Sequence, residues 1–298
     1  MNEADQIKQT TARLSIFSNT VLIVLKLIVG VYSGAVSIVS EAAHSGVDLL
    51  AAVIAFLAVR NACRPPDTHH AYGHGKLENL SGAAEAALII GAALWIVFEA
   101  VEKLFHPVAV EFLGYGLAVM GVSAVVNWLV SERLYRVARQ TESQALEADA
   151  LHLRADVWTS AGVFAGLAII KLTGIQWLDP AIAIIVAAII FNAGFRMTKK
   201  SLYELTDVAL PPEEEAVIRE IIASYGEVIN YHRLRTRRSG SRRLVDVHLV
   251  FAKDSHLDAA HAVCDRIEDE IQSRLGQCDV VIHLEPDLPT VYDRMRLQ

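Results

Sequence analysis

AAHSGVDLLAAVIAF, residues 42–56, sets two titratable side chains, His44 and Asp48, into a run of Ala, Val, Leu, Ile and Gly. The run reads as a membrane helix, where ionisable residues are expensive and functional by default. Four residues apart on a helix, the imidazole and the carboxylate share one face. The same spacing returns at His152 and Asp156 in LHLRADVWTSAG, residues 151–162. Glu-Ala-Ala-His leads into the first pair and Asp-Ala-Leu-His into the second. One ionisable residue in a span fits mere packing against a polar neighbour. Two matching pairs in different spans argue for a job.

Working outward, the 298 residues are 53% hydrophobic and carry a net charge of -7. The charge is unevenly spread, since the last ninety or so residues are polar and the first two hundred are not. Cys63, Cys264 and Cys278 form neither a C-x-x-C pair nor an even set, so they read as free thiols. The opening MNEADQIKQTTAR is polar, and no small-residue cleavage site follows the first apolar run, so no removable signal peptide is expected.

Six apolar stretches are long enough to cross a bilayer, near 12–33, 36–60, 78–103, 112–138, 145–173 and 178–200. Basic residues decide their orientation. One set of loops and ends holds Lys8, Arg13, Arg60, Arg64, Lys76, Arg133, Arg136, Arg139, Arg154, Arg196, Lys199 and Lys200; the opposite set holds only Lys103 and Lys171. Both termini are therefore expected in the cytoplasm. Lys26, inside the first span, reads as snorkelling or pairing with an acid.

In that topology the second and fifth helices run in opposite directions and can face their His-x-x-x-Asp motifs at one depth. Two imidazole nitrogens and two carboxylates make a tetrahedral donor set suited to Zn²⁺. Two neutral His, two ionised Asp and a dication sum to zero charge, the least costly state in a low-dielectric slab. The start of the fifth helix, QALEADALHLRAD, is amphipathic, and at membrane depth it must line protein or water. A wet cavity open to the cytoplasm is expected there. Gly162 and Gly166 form a G-x-x-x-G that permits close helix packing.

Two further groups stand out. The loop PPDTHHAYGHGK offers Asp67, His70 and His74 to one metal, with His69 as a spare and a solvated His-rich loop as the plain alternative. From Pro211 the chain reads α-β-β-α-β, a small α+β sandwich with both helices on one sheet face. Ser255 and Asp258 read as a capping box on its second helix. Parity turns Val245, Val247, Leu249 and Phe251 inward and Asp246 and His248 outward. On the last strand His283 and Glu285 point outward, and His232 of the first strand can join them. The uncovered face thus gathers three His and an acid. His261, on the second helix, is either structural or contributes from the edge. The hairpin arginines Arg235, Arg237, Arg238, Arg242 and Arg243 read as a solvated tip rather than a lipid contact, and no aromatic interleaving points to nucleic acid.

With HSGVD in the second span, HLRAD in the fifth, DTHHAYGH in the second loop and a tail ending in HLEP, nearly the whole chain resembles the cation diffusion facilitator family, closest to bacterial zinc and ferrous-iron efflux members. The resemblance implies a homodimeric metal²⁺/H⁺ antiporter of the bacterial inner membrane. It implies a six-helix transport domain over 1–208 and a ferredoxin-like cytoplasmic domain over 209–298 that binds metal and dimerises. His44, Asp48, His152 and Asp156 then map to the transport site and Asp67, His70 and His74 to an interfacial loop site. His232, His248, His261, His283 and Glu285 map to a binuclear tail site, with Glu285 where some members use Asp. Lys76 and Asp207 match a charge pair that ties similar dimers together. Zn²⁺ is the expected cargo, with Fe²⁺, Cd²⁺ or Co²⁺ as further substrates, and protons and lipid as the other partners. A membrane metalloenzyme is the competing class, but four protein ligands close the open position that a catalytic zinc keeps, and H-E-x-x-H is missing. A metal-gated receptor driven by the tail is the third class.

Overall fold

The computed structural model describes residues 3–33, 36–105, 114–173 and 177–288, except for some side chains within these ranges, that of His44 among them. It divides into two compact units, 1–202 and 203–298.

The first unit holds six long helices, α1 (Glu3–Ser33), α2 (Val36–Ala62), α3 (Lys76–Phe105), α4 (Gly114–Thr141), α5 (Gln144–Thr173) and α6 (Leu178–Leu205). Several outrun the apolar stretches that announce them. α1 begins at Glu3 instead of near residue 12, and α6 continues to Leu205 instead of 200. Polar ends carry the helical hydrogen-bond pattern past the greasy segment. Among the described residues, three segments, Glu3–Val29, Lys76–Glu102 and Pro180–Leu205, are long and apolar enough to cross a membrane by length and composition. Those segments lie in three of the six expected spans. α4 carries Glu132, Arg133, Arg136 and Arg139 toward its end, and α5 carries Glu147, Asp149, Arg154 and Asp156 in its first half.

The outer surface of this unit is apolar: Phe17, Trp95, Phe98, Leu129 and Ile185 are all mostly exposed. That is how a helix bundle is patterned when its solvent is hydrocarbon. Inside, Ala12, Val59, Leu134, Val137, Leu146 and Leu153 pack as one cluster that joins α1, α2, α4 and α5. Ile89, Ala93 and Ile190 join α3 to α6. A Cβ added at Gly162 would lie 2.9 Å from Val186 Cγ2, so the missing side chain lets α5 and α6 close on each other. The side of Gly166 lies outside the described residues.

The polar start of α5 lines protein. Gln144, Asp149 and His152 are buried, and Asn79 Nδ2 donates to Gln144 Oε1 at 3.0 Å. Nearby, Lys8 Nζ of α1 donates to Glu78 Oε1 of α3 at 3.0 Å, and Ser131 Oγ of α4 donates to the Ala150 carbonyl of α5 at 2.9 Å. Lys26 is buried and donates to Ser45 Oγ at 2.6 Å, directly beside His44 in the chain.

The second unit has α7 (Pro212–Ser224), β1 (Asn230–Ser239), β2 (Arg242–Phe251), α8 (Leu257–Leu275) and β3 (Cys278–Pro286). β2 is central, antiparallel to β1 and parallel to β3. Ile218, Ile221 and Ile222 of α7 and Val263, Ile267 and Ile271 of α8 pack on Val245, Val247, Leu249 and Phe251 of β2. Both helices therefore cover one sheet face, as parity demands. Gly240 turns the hairpin at φ 61, the conformation a two-residue loop asks of its first residue. The expected capping box is absent. α8 starts one residue later than that box requires, with His256 at the N-cap and no side-chain hydrogen bond, so Ser255 and Asp258 fall out of the necessary frame.

The hairpin arginines are more engaged than a solvated tip. Arg243 Nε donates to Glu214 Oε2 at 2.8 Å, Arg238 pairs with the same carboxylate, and Arg242 meets Asp279 at 3.0 Å. Arg237 meets Asp207, itself at φ 59, at 3.2 Å. The Arg243, Arg238 and Arg237 pairs hold the entrance of α7 against the sheet, and the Arg242 pair ties β2 to β3.

Candidate functional site

Helical spacing builds the first cluster. His152 and Asp156 share a face of α5, and α2 packs on α5 to bring Asp48 opposite. His152 Nε2 lies 3.1 Å from Asp48 Oδ1, and one ligand atom from each of Asp48, His152 and Asp156 falls within 4.8 Å of the others. Asp48 and His152 are both about 5% exposed. His152 Nδ1 has no hydrogen-bond partner among the described residues, a buried nitrogen left with a lone pair or a proton to place. His44 lies on α2 one turn before Asp48, and its side chain is outside the described residues.

The loop cluster is local, with Asp67 and His70 exposed and His74 nearly buried. Asp67 Oδ1 accepts from the backbone N–H groups of His70 at 2.7 Å and His69 at 2.9 Å. Those bonds hold the carboxyl below its ordinary value, so it is ready as a ligand. Asp67 Oδ2 sits 3.3 Å from His74 Nε2, and the His70 and His74 rings are 4.4 Å apart. Asp67, His70 and His74 form a set able to hold one ion.

The tail cluster is a row across the sheet: His232 stands opposite His248, and His248 opposite His283. The ring centroids are 4.9 and 4.6 Å apart. Glu285 lies among them, its carboxylate 3.1 Å from His248 Nδ1, 3.2 Å from His232 Nε2 and 3.5 Å from His283 Nε2. His232, His248 and Glu285 form the tight set, with His283 more exposed at its side. A β-bulge makes the row possible. Between His232 and Arg235 the first strand takes an extra residue, with Arg233 at φ 51. In unbroken register His232 would face Leu249 on the core side; the bulge turns it onto the His248 face.

Burial holds the His232 imidazole below its ordinary value, which keeps it neutral, the form that binds metal. Burial alone would raise the Glu285 carboxyl, but the His248 hydrogen bond and the surrounding imidazoles outweigh it and pull it down. Among the described residues, both His232 ring nitrogens and Glu285 Oε2 lack a well-formed hydrogen bond. Neutral nitrogens and a carboxylate oxygen left open at one point fit a metal better than a hydrogen-bond network. His261 is not brought to this row within the chain. It sits on α8, over the opposite sheet face, exposed and 3.8 Å from Asp265.

Sequence reasoning missed two buried acids. Glu85 on α3 and Asp149 on α5 are both fully shielded. The available signal was an acid inside an apolar run, and Asp149 is the very residue that opens the Asp-Ala-Leu-His match.

Comparison with known proteins identifies the family. The model of the cation efflux transmembrane domain matches residues 12–206, and that of the cation efflux protein cytoplasmic domain matches 210–287. A transporter from Synechocystis sp. is 35% identical over 276 residues, 92% of this chain and 89% of its own. The cation-efflux pump FieF of Cronobacter sakazakii is 34% identical over 268 residues, 90% of this chain and 89% of its own. The metal-bound C-terminal domain of the CzcD transporter from Thermotoga maritima is 27% identical, covering 25% of this chain and 87% of that one, with a TM-score of 0.24. The chain belongs to the cation efflux family of metal transporters, the cation diffusion facilitators.

Proposed function

We propose that the protein exports Zn²⁺ from the cytoplasm in exchange for protons, with His44, Asp48, His152 and Asp156 as the transport site. The observation that carries this reading is the buried convergence of Asp48, His152 and Asp156 from two helices, with an orphaned imidazole nitrogen beside them. Mixed nitrogen and oxygen donors at four-coordinate count favour Zn²⁺ over ions that prefer oxygen alone. All six long helices span the inner membrane, with both termini in the cytoplasm, since the basic residues crowd one set of ends. The two motifs need no change of ligand to work. They need only the loss of protons when the ion binds and their return when it leaves, and histidine titrates where modest acidity can drive that return. The helix bundle rocks between inward and outward access around the site.

The tail and the loop have a different task in this reading. His232, His248, His283 and Glu285 hold a resident metal on a ferredoxin-like domain that pairs two copies, so cytoplasmic metal stabilises the dimer. Asp67, His70 and His74 hold a third ion in the loop. Fe²⁺, Cd²⁺ and Co²⁺ share enough ligand chemistry to be secondary cargo.

The test is zinc uptake into proteoliposomes under an imposed pH gradient. Uptake should accelerate when the interior is acidic and collapse when the gradient is dissipated. Uptake that ignores the gradient would remove the exchange step, and no uptake at all would remove transport.

A further inference from the structure

α4 changes character along one exposed face. Val122, Val125 and Leu129 stand outward on it, spaced as one side of a helix requires, and Arg133 and Arg136 continue the same line. The other side, with Ser131, Leu134 and Val137, is buried in the bundle. Within about one turn the outward side chains thus pass from hydrocarbon to guanidinium. On a helix that crosses a membrane, such a change marks the level where acyl chains give way to head groups.

Arginines gather at that level. From Ser131 to Thr141 α4 carries Arg133, Arg136 and Arg139 against one acid, Glu132. α5 adds Arg154, whose guanidinium carbon lies 4.4 Å from the centre of the Tyr135 ring, while that of Arg139 lies 5.5 Å from the same ring. Tyr135 is anchored, since it packs against the core cluster that joins α1, α2, α4 and α5. Arg154 is anchored too: it donates to Glu132 Oε2 at 2.9 Å, and Arg136 Nη2 reaches the other oxygen of that carboxylate only at 4.0 Å. One carboxylate therefore serves two guanidiniums, and Arg136 and Arg139 remain exposed. The local excess is positive in a chain whose net charge is -7.

A guanidinium held on an aromatic face keeps its N–H edge available, and that planar edge takes a phosphate through two parallel bonds. Side chains already stacked have lost freedom before a ligand arrives, which lowers the cost of binding it. We propose that Arg136, Arg139 and Arg154, around Tyr135, bind the phosphate of an anionic phospholipid of the cytoplasmic leaflet, whose acyl chains lie along Val122, Val125 and Leu129. This rests on the reading of α4 and α5 as membrane spans with these ends in the cytoplasm. The site is local to the α4–α5 edge, unlike the diffuse attraction that any basic loop has for an anionic leaflet.

Trp128, exposed on α4 beside Leu129 in the chain, is the reporter. The full chain with Trp95→Phe, Trp158→Phe and Trp177→Phe is placed in nanodiscs of phosphatidylcholine, and brominated phosphatidylglycerol or brominated phosphatidylcholine is included at equal fractions. Quenching of Trp128 should show a preference of roughly tenfold for the anionic lipid. Arg136→Gln with Arg139→Gln, both at exposed positions, should abolish that preference, whereas Arg60→Gln with Arg64→Gln, exposed at the end of α2, should keep it. Equal quenching by the two lipids overturns the head-group site and leaves α4 in the bilayer; no quenching by either removes the span as well. Equal losses from the two arginine pairs reduce the effect to diffuse attraction and overturn the site. Displacement of the lipid by inorganic phosphate overturns the choice of a lipid. Should the single-tryptophan chain fail to assemble, mass spectrometry of the detergent-solubilised chain with its tryptophans intact decides. Phosphatidylglycerol should stay on that chain and leave the one with Arg136→Gln and Arg139→Gln, and equal retention overturns the site. Zinc uptake enters none of these readings, so a failure of the transport reading shows separately.

Discussion

The helical cluster around His152 and the sheet cluster around His248 use the same side chains on opposite kinds of scaffold. In the bundle, Asp48 and His152 are nearly sealed and come from separate helices, so sliding α2 against α5 changes their distance. In the tail, the three histidines sit on paired strands whose hydrogen-bond ladder fixes the spacing, and His283 faces solvent. A site between helices can open and close, while a site on a sheet can only fill and empty. That difference is the ground on which we propose transport for the first and retention for the second.

The largest effect that could break this division is at Asp156. Removing one member of a buried charge set costs about 3–5 kcal/mol, or roughly 100-fold to several thousand-fold. Asp156→Ala should therefore abolish zinc uptake in proteoliposomes while leaving metal binding by the tail intact. Next comes His248→Ala, at the centre of the tail row. Tail affinity should fall about 10- to 100-fold by calorimetry, with uptake changed only a few-fold. Equal losses of uptake from both substitutions would erase the distinction.

Smaller effects sharpen it. Arg233 holds a left-handed conformation at the bulge, where a β-branched residue is strained by roughly 1–2 kcal/mol. Arg233→Val should weaken both tail stability and tail metal binding, read as earlier labelling of the buried thiols Cys264 and Cys278 in denaturant. The smallest effect is at Glu214. Burial works to raise its carboxyl, but Arg243 and Arg238 prevail and hold it below its ordinary value. The stability from this pair is complete above the ordinary glutamate value, about 4.3, and is lost as pH falls through the lowered folded value. Glu214→Gln should cost the tail about 1 kcal/mol at neutral pH and flatten that part of its acid profile, as thiol protection against pH would report.

Much of this was legible in the residues. Four-residue spacing put His152 and Asp156 on one face, and two-residue alternation separated Val247 from His248. Those periods come from backbone geometry, so they survive folding unchanged. The bulge at Arg233 was not legible, because no local propensity marks an extra residue whose only reward is pairing His232 with His248. Nor was the burial of Asp149, which depends on helices distant in sequence packing against α5. The partners of the start of α5, Asn79 and Ser131, were hidden for the same reason: they lie far away in sequence. His261 carries the right chemistry on the wrong sheet face, a matter of layer order and not of residue type.

The most direct test of the account is a paired recording of zinc and proton flux across liposomes containing either Asp156→Ala or His248→Ala chains. The account predicts that both fluxes vanish together in the first and persist, still coupled, in the second. Coupled flux in Asp156→Ala, or its loss in His248→Ala alone, would contradict it.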